Sequence, residues 1–328
     1  FYDETTTWTV PPRTLYAGLN GEDVVYTSPS ARTRLIRELG KGLERHLLWE
    51  YAYDRHGNLT TNAEYGVVDG VDRSAFDDER ISVTEYAINL AEWLIRNPSR
   101  TEIRDENSSV VARTAYFYDD ETFSGSNHGD VLKGHLTLQR DWVDPVVAVS
   151  FVRTSRTQFD SFGNPTVLLD PLAVAPAGNV DASLGHFREI SYDERFHSYP
   201  IAETIHIGGG SDDLVFRSDY DTGLATMVAS TDFNGEITTY DYDAFARPVA
   251  VTEPPYAEHT IEYDYVLAHE LGQGQILNWV ETRQRDDSPG DGYLHTRTFL
   301  DGLGRSLQER SEGDSPLDAV VRGAVEYN

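Results

Sequence analysis

The 328-residue chain carries 55 Asp and Glu against 27 Lys and Arg, a formal net charge of -28 with a pI near 4.5. Such a surface repels phosphate backbones and excludes nucleic acid as a partner. The absence of cysteine rules out disulfides, thiolate catalysis and Cys-ligated zinc, and no run approaches the roughly 18 apolar residues of a membrane-spanning helix.

The chain opens at Phe1 rather than Met and closes at Tyr327-Asn328 in mid-pattern, so it is expected to be part of a longer polypeptide. Residues 1–49 read as an N-terminal flanking segment, partly helical. Between Ser30 and Leu48, Leu35, Leu39, Leu43 and Leu47 recur every fourth residue, with Ser30 as N-cap; Gly40 and Gly42 weaken the stripe. From residue 50 onward a repeated phrase takes over, first as Tyr53-Asp54-Arg55-His56-Gly57-Asn58. Glu79 to Arg96 is ambiguous between helix and strand, and Asn97-Pro98 is expected to end it in either case. The phrase then returns as Phe159-Asp160-Ser161-Phe162-Gly163-Asn164, as Tyr242-Asp243-Ala244-Phe245-Ala246-Arg247 and as Leu300-Asp301-Gly302-Leu303-Gly304-Arg305.

Weaker echoes stand at Tyr118-Asp119, Tyr192-Asp193, Tyr220-Asp221-Thr222-Gly223 and Tyr263-Asp264. The intervals of 22 residues from Tyr220 to Tyr242 and 21 from Tyr242 to Tyr263 suit one hairpin each. Longer intervals imply inserted loops, most plainly 208–213 and 286–292.

Each copy is built to reverse a strand. Asp at the first turn position accepts hydrogen bonds from backbone amides two residues on, and Gly three residues later supplies the positive φ of a type I turn with its bulge. Ala246 departs from the pattern and must either tolerate positive φ or adopt another turn. Around the third copy Thr238, Tyr240 and Tyr242 alternate with Thr239 and Asp241, the period of a half-exposed strand. The bare Asp-x-x-Gly spacing occurs five times against roughly two or three by chance, so the specificity lies in the leading apolar residue and the trailing Asn or Arg.

No catalytic signature competes with this scaffold. His269-Glu270-Leu271 starts like a zinc-protease helix, but Gln273 replaces the second histidine. The acidic loop 286–291 reads as a solvated turn rather than a Ca²⁺ site, and the ten histidines are scattered. The chain is therefore expected to be non-enzymatic and to need no cofactor or metal.

The Tyr-Asp-x-x-Gly-Asn/Arg phrase at a period near 20 resembles the YD repeats of RHS-repeat proteins. The wider context is similar to the RHS regions of Tc-toxin B and C components and their SpvB-linked relatives. The phrases that carry the likeness run from Asp232 through Arg247, from Phe299 to Arg305, and over Val325-Glu326-Tyr327-Asn328. The resemblance implies an all-β fold: a spiralling sheet of repeated antiparallel hairpins over 50–328, part of a hollow shell, with one or two short helices. It implies as partners the remaining RHS segments of the same polypeptide and an enclosed C-terminal toxin or effector, in a secreted or cell-surface bacterial protein. The end-of-core aspartate motifs associated with self-cleavage in that family are not found here. Two rival readings are a glycan-binding adhesion module, with Tyr240, Tyr242, Tyr263 and Tyr265 as a sugar-stacking strip, and a β-repeat hydrolase.

Overall fold

Thr, Val, Ile and Tyr alternate with charged residues along most of the chain, a composition that fits a pleated sheet wetted on at least one face. The computed structural model describes residues 2–9, 13–17, 21–37, 44–70, 72–73, 78–144, 150–272, 275–286, 292–313, 318–323 and 325. The described residues form an all-β fold of successive antiparallel hairpins, divided into two compact units: 1–189 with 206–212, and 190–205 with 213–328.

The first unit contains β1 (Tyr2–Trp8), β2 (Arg13–Ala17), β3 (Asp23–Tyr26), β4 (Pro29–Arg37), β5 (Glu44–Tyr53), β6 (Leu59–Val68), β7 (Arg80–Asn89), β8 (Leu94–Arg104), β9 (Val110–Tyr118), β10 (Leu136–Trp142), β11 (Phe151–Phe159), β12 (Pro165–Leu169) and the start of β13 (Phe187–Tyr192). β1 pairs with β4, and from β4 to β13 each strand pairs with the next. β2 and β3 form a separate ribbon.

The second unit holds the rest of β13, β14 (Pro200–His206, all but its last residue), β15 (Leu214–Asp221), β16 (Thr226–Thr231), β17 (Ile237–Tyr242), β18 (Pro248–Thr252), β19 (Ile261–Gly272), β20 (Gln275–Arg285), β21 (Tyr293–Leu300), β22 (Ser306–Glu312) and β23 (Ala319–Arg322). From β14 onward each pairs with its successor.

Three local expectations are corrected. The leucine stripe between Ser30 and Leu48 is not helical: Leu35 lies in β4 opposite His46, and Leu47 lies in β5 opposite Arg34. Gly40 and Gly42, with Leu39 and Leu43, lie outside the described residues. Asn97-Pro98 does not end an element, because β8 runs through it. Pro98 sits opposite Tyr86 at a register shift in the β7–β8 ladder, where a missing N–H is tolerated. Tyr263-Asp264 is no corner; both residues lie inside β19. Among the described residues the helical content consists of two 3-10 turns, Pro176–Gly178 and Ala182–Leu184, away from the stretch where it was expected. The boundary drawn after residue 49 falls within β5, and most of the acidic loop 286–292 lies outside the described residues.

A well-buried apolar core forms where loops cover the sheet. Phe117, Leu138, Leu169 and Phe187 from β9, β10, β12 and β13 pack with Phe123 and Ala173 from the covering loops. Arg156, 3% exposed, anchors that cover by donating to the carbonyls of Asp170 and Ala173 at 2.5 and 2.8 Å. Elsewhere polar networks hold the faces. Buried Glu102 receives Arg104 at 2.8 Å and Arg113 at 2.9 Å. Burial opposes its charge, but those guanidiniums and Arg100 outweigh it and hold the carboxyl below its usual range.

Candidate functional site

The repeated feature of the chain is its hairpin corner, and among the described residues six corners share one geometry. They begin at Asp54, Asp105, Asp160, Asp232, Asp243 and Asp301. In each, the N–H four residues after Asp is bridged to the carboxylate, while the Asp N–H donates to the carbonyl of that same residue at 2.9–3.0 Å. The N–H three residues on donates to the Asp carbonyl at 2.9–3.2 Å. Oδ1 also accepts the N–H two residues on: His56 at 2.8 Å, Asn107 at 3.0 Å, Phe162 at 2.8 Å, Asn234 at 2.9 Å, Phe245 at 2.8 Å and Leu303 at 2.8 Å. One carboxylate thus satisfies amides that would otherwise be orphaned by the reversal.

The fourth position must take positive φ. Gly57 at 82°, Gly163 at 89°, Gly235 at 83° and Gly304 at 79° do so without strain, whereas Ser108 at 63° and Ala246 at 61° carry a Cβ there. At Gly163 an added Cβ would also stand 3.2 Å from His135 Nε2. The trailing Asn or Arg has a specific task that sequence reasoning left unexplained. Its side chain closes on the second carboxylate oxygen: Asn58 at 2.8 Å, Asn164 at 3.0 Å, Arg247 at 2.7 Å and Arg305 at 2.7 Å.

These donors shift the carboxylates. For Asp54 and Asp160, burial opposes ionisation, but N–H groups from Asn58 and Asn164 and their amides prevail, so both acids sit below their usual range. The Arg247 guanidinium leads the same shift at Asp243, and the Arg305 and Glu236 amides lead it at Asp301 and Asp232.

Two echoes make wider brackets of the same kind. Asp119 accepts the N–H groups of Leu132, Lys133, Gly134 and His135, closing the long β9–β10 loop. Asp193 accepts those of Arg195, Phe196, Ser198 and Tyr199, which overcome the desolvation that opposes its charge and lower it to about 2.

Position follows from pairing. In a meander, successive connections alternate between the two rims of the sheet. Within the first unit, Asp54, Asp119 and Asp160 therefore share one rim and Asp105 takes the other. Within the second, Asp221, Asp243 and Asp301 share a rim and Asp232 lies opposite. Within each unit the full phrase, with its leading aromatic or leucine, marks one rim only, and the 22 residues from the Tyr220 echo to Tyr242 are one trip across the sheet and back.

The leading tyrosines tie neighbouring strands at that rim. Tyr118 Oη donates to the Pro98 carbonyl at 2.9 Å and Tyr242 Oη to that of Met227 at 2.9 Å. Tyr86 and Tyr265, which no Asp follows, do the same to Leu59 and Pro248 at 3.0 Å each. Sequence reasoning missed Tyr86, around which the phrase is absent, and weighed Tyr265 as part of a ring strip without foreseeing its tie to a backbone carbonyl. Phe159, lacking a hydroxyl, stacks on His135 instead, with centroids 4.7 Å apart. Burial raises all four phenols, Tyr118 to about 12, which keeps them as donors.

Among the described residues no group of three or more His, Asp and Glu could hold a metal ion, and no helix is long and apolar enough to cross a membrane. His269 and Glu270 lie in β19, where His269 meets Trp279 edge-on.

Carboxylate-closed corners on an antiparallel meander define a β-hairpin repeat scaffold. No protein-family model and no curated protein matches the chain. Solved structures do, Tc-toxin assemblies among them. The crystal structure of TcdB2-TccC3 aligns with 100% of the chain at a TM-score of 0.63 and 12% identity, covering 22% of its own chain. TcdB2-TccC3-Cdc42 aligns with 100% at 0.65 and 10% identity, covering 24%. The Photorhabdus luminescens Tc holotoxin pore with the TccC3-D651A mutation aligns with 93% at 0.61 and 11% identity, covering 22%. The resemblance to Tc-toxin components thus holds for the fold, and the chain spans about a quarter of the length of those solved chains.

Proposed function

We propose that the chain is a non-enzymatic structural segment of an RHS-type shell, which encloses a C-terminal toxin or effector and helps deliver it from a secreted or cell-surface bacterial protein. The observation that carries this reading is the recurrence of one corner geometry six times, in a chain whose entire length shares its fold with Tc-toxin structures. The corner carboxylates spend their lone pairs on their own backbone, which is the chemistry of a scaffold. The hydroxyls offered to a sugar-binding strip are similarly occupied: Tyr242 and Tyr265 hold carbonyls, and Tyr240 sits 3.2 Å from Ser230 Oγ. These contacts favour wall packing over glycan recognition.

Limited proteolysis of the polypeptide encoded by the whole gene tests the proposal. Its C-terminal domain should resist protease until corners in this segment are opened, for instance by combining Asp160→Ala with Gly163→Val. A C-terminal domain digested in the wild-type polypeptide as fast as in isolation would overturn the reading.

A further inference from the structure

We infer that Asn234 is a site of spontaneous deamidation, and that the Asp232 carboxylate sets its rate. The sequence has two Asn-Gly pairs, Asn20-Gly21 and Asn234-Gly235, and Asn234 is the only described asparagine followed by glycine. Glycine matters because the reaction is an attack by its backbone nitrogen, and a Cβ on that residue hinders the approach. At Gly235 even a built Cβ would meet nothing within 4 Å, so no packed neighbour crowds that residue. Asn234 itself is exposed, at the β16–β17 corner.

Two other corner asparagines are protected. Asn164 precedes Pro165, which has no N–H to lose, and Asn58 is 3% exposed and precedes Leu59.

The reaction balances with water alone. Gly235 N attacks Asn234 Cγ and loses its proton, ammonia leaves from Cγ, and a five-membered imide remains. Water then opens either imide carbonyl, giving aspartate or isoaspartate.

Three contacts restrain the attack. Gly235 N–H is held by the Asp232 carbonyl at 3.0 Å, Asn234 N–H by Asp232 Oδ1 at 2.9 Å, and Asn234 Nδ2 by Asp232 Oδ2 at 3.0 Å. Asp232 therefore guards the site, and conversion proceeds from the opened corner. Conversion also weakens the corner. The Nδ2 donor becomes a carboxylate facing the Asp232 carboxylate, and the isoaspartyl form adds a backbone atom to a turn whose hydrogen bonds are set at fixed offsets from Asp232.

The test is ageing of the purified full chain at mildly alkaline pH, followed by peptide mapping that separates aspartate from isoaspartate. Asn234 should convert ahead of every other described asparagine, and Asp232→Ala should accelerate it several-fold. Asn234→Gln should abolish the modified peptide and preserve the melting temperature that the wild type loses on ageing. Faster conversion at an asparagine not followed by glycine, in the folded wild type, would overturn the assignment. An unchanged rate in Asp232→Ala would overturn the guarding role.

Discussion

Ala246 holds φ at +61° in a position where four of the six corners use glycine. Its Cβ costs roughly 1–2 kcal/mol in that region, so Ala246→Gly should stabilise the chain by about 0.5–1 kcal/mol, net of the entropy glycine adds to the unfolded state. Chemical denaturation reads this directly, and a loss of stability would show that the corner does not need positive φ. The opposite change, Gly163→Val, adds a branched side chain at φ 89° beside His135. It should destabilise by about 1–3 kcal/mol.

The corner acids also dictate a response to pH. Their folded pKa values lie below the unfolded value of 3.8, so their contribution is complete above about pH 4 and is lost as pH falls through the folded values. Asp193, at about 2, should be the last to yield. Melting temperature should therefore decline steadily between about pH 4 and pH 2; a curve flat over that window would remove the brackets from the account of stability.

Hairpins are joined to hairpins by phenols. Tyr118→Phe deletes the donor to the Pro98 carbonyl while keeping the ring, at an expected cost of about 1–2 kcal/mol. Burial raises this phenol from 10 to about 12, so its contribution is complete below pH 10 and disappears as pH rises towards 12. Wild type should thus lose melting temperature over that range more steeply than Tyr118→Phe; parallel curves would argue that the hydroxyl does no structural work.

This level of organisation was only partly legible in the sequence. Asp54, Asp160, Asp243 and Asp301 announce corners because the turn needs an acceptor and a positive φ at fixed offsets, and both are residue types one can read. Asp105 is invisible by the same rule, since Ser108 takes the glycine's place. The stripe from Leu35 to Leu47 misleads because residues four apart also share one face of a strand, so spacing by four fits both periods. The ties made by Tyr86 and Tyr265 leave no trace: their partners are backbone carbonyls, which every residue carries.

Taken as a molecule, the chain stabilises a large sheet with little buried apolar volume. The cluster around Leu138 forms where the 170–186 loop lies over the strands, and Gly185 is there because its Cβ position falls 2.3 Å from the Ile207 carbonyl carbon and oxygen. Over much of the sheet, cohesion comes from ladders, ion clusters such as Glu102 with its arginines, and guanidiniums stacked on rings, as Arg32 is on Trp49 at 4.2 Å. Such a sheet is only as regular as its reversals. Its fold is shared with Tc-toxin assemblies at 10–12% identity.

Residue-resolved hydrogen exchange on the folded chain reaches this point most directly. The amides of Asn58, Ser109, Asn164, Glu236, Arg247 and Arg305, each held by the carboxylate four residues earlier, should exchange as slowly as the strands they enter. Replacing that one aspartate by alanine should release its own amide and leave the other five protected. If all six exchange at the rate of open loops in the wild type, carboxylate brackets do not build this fold.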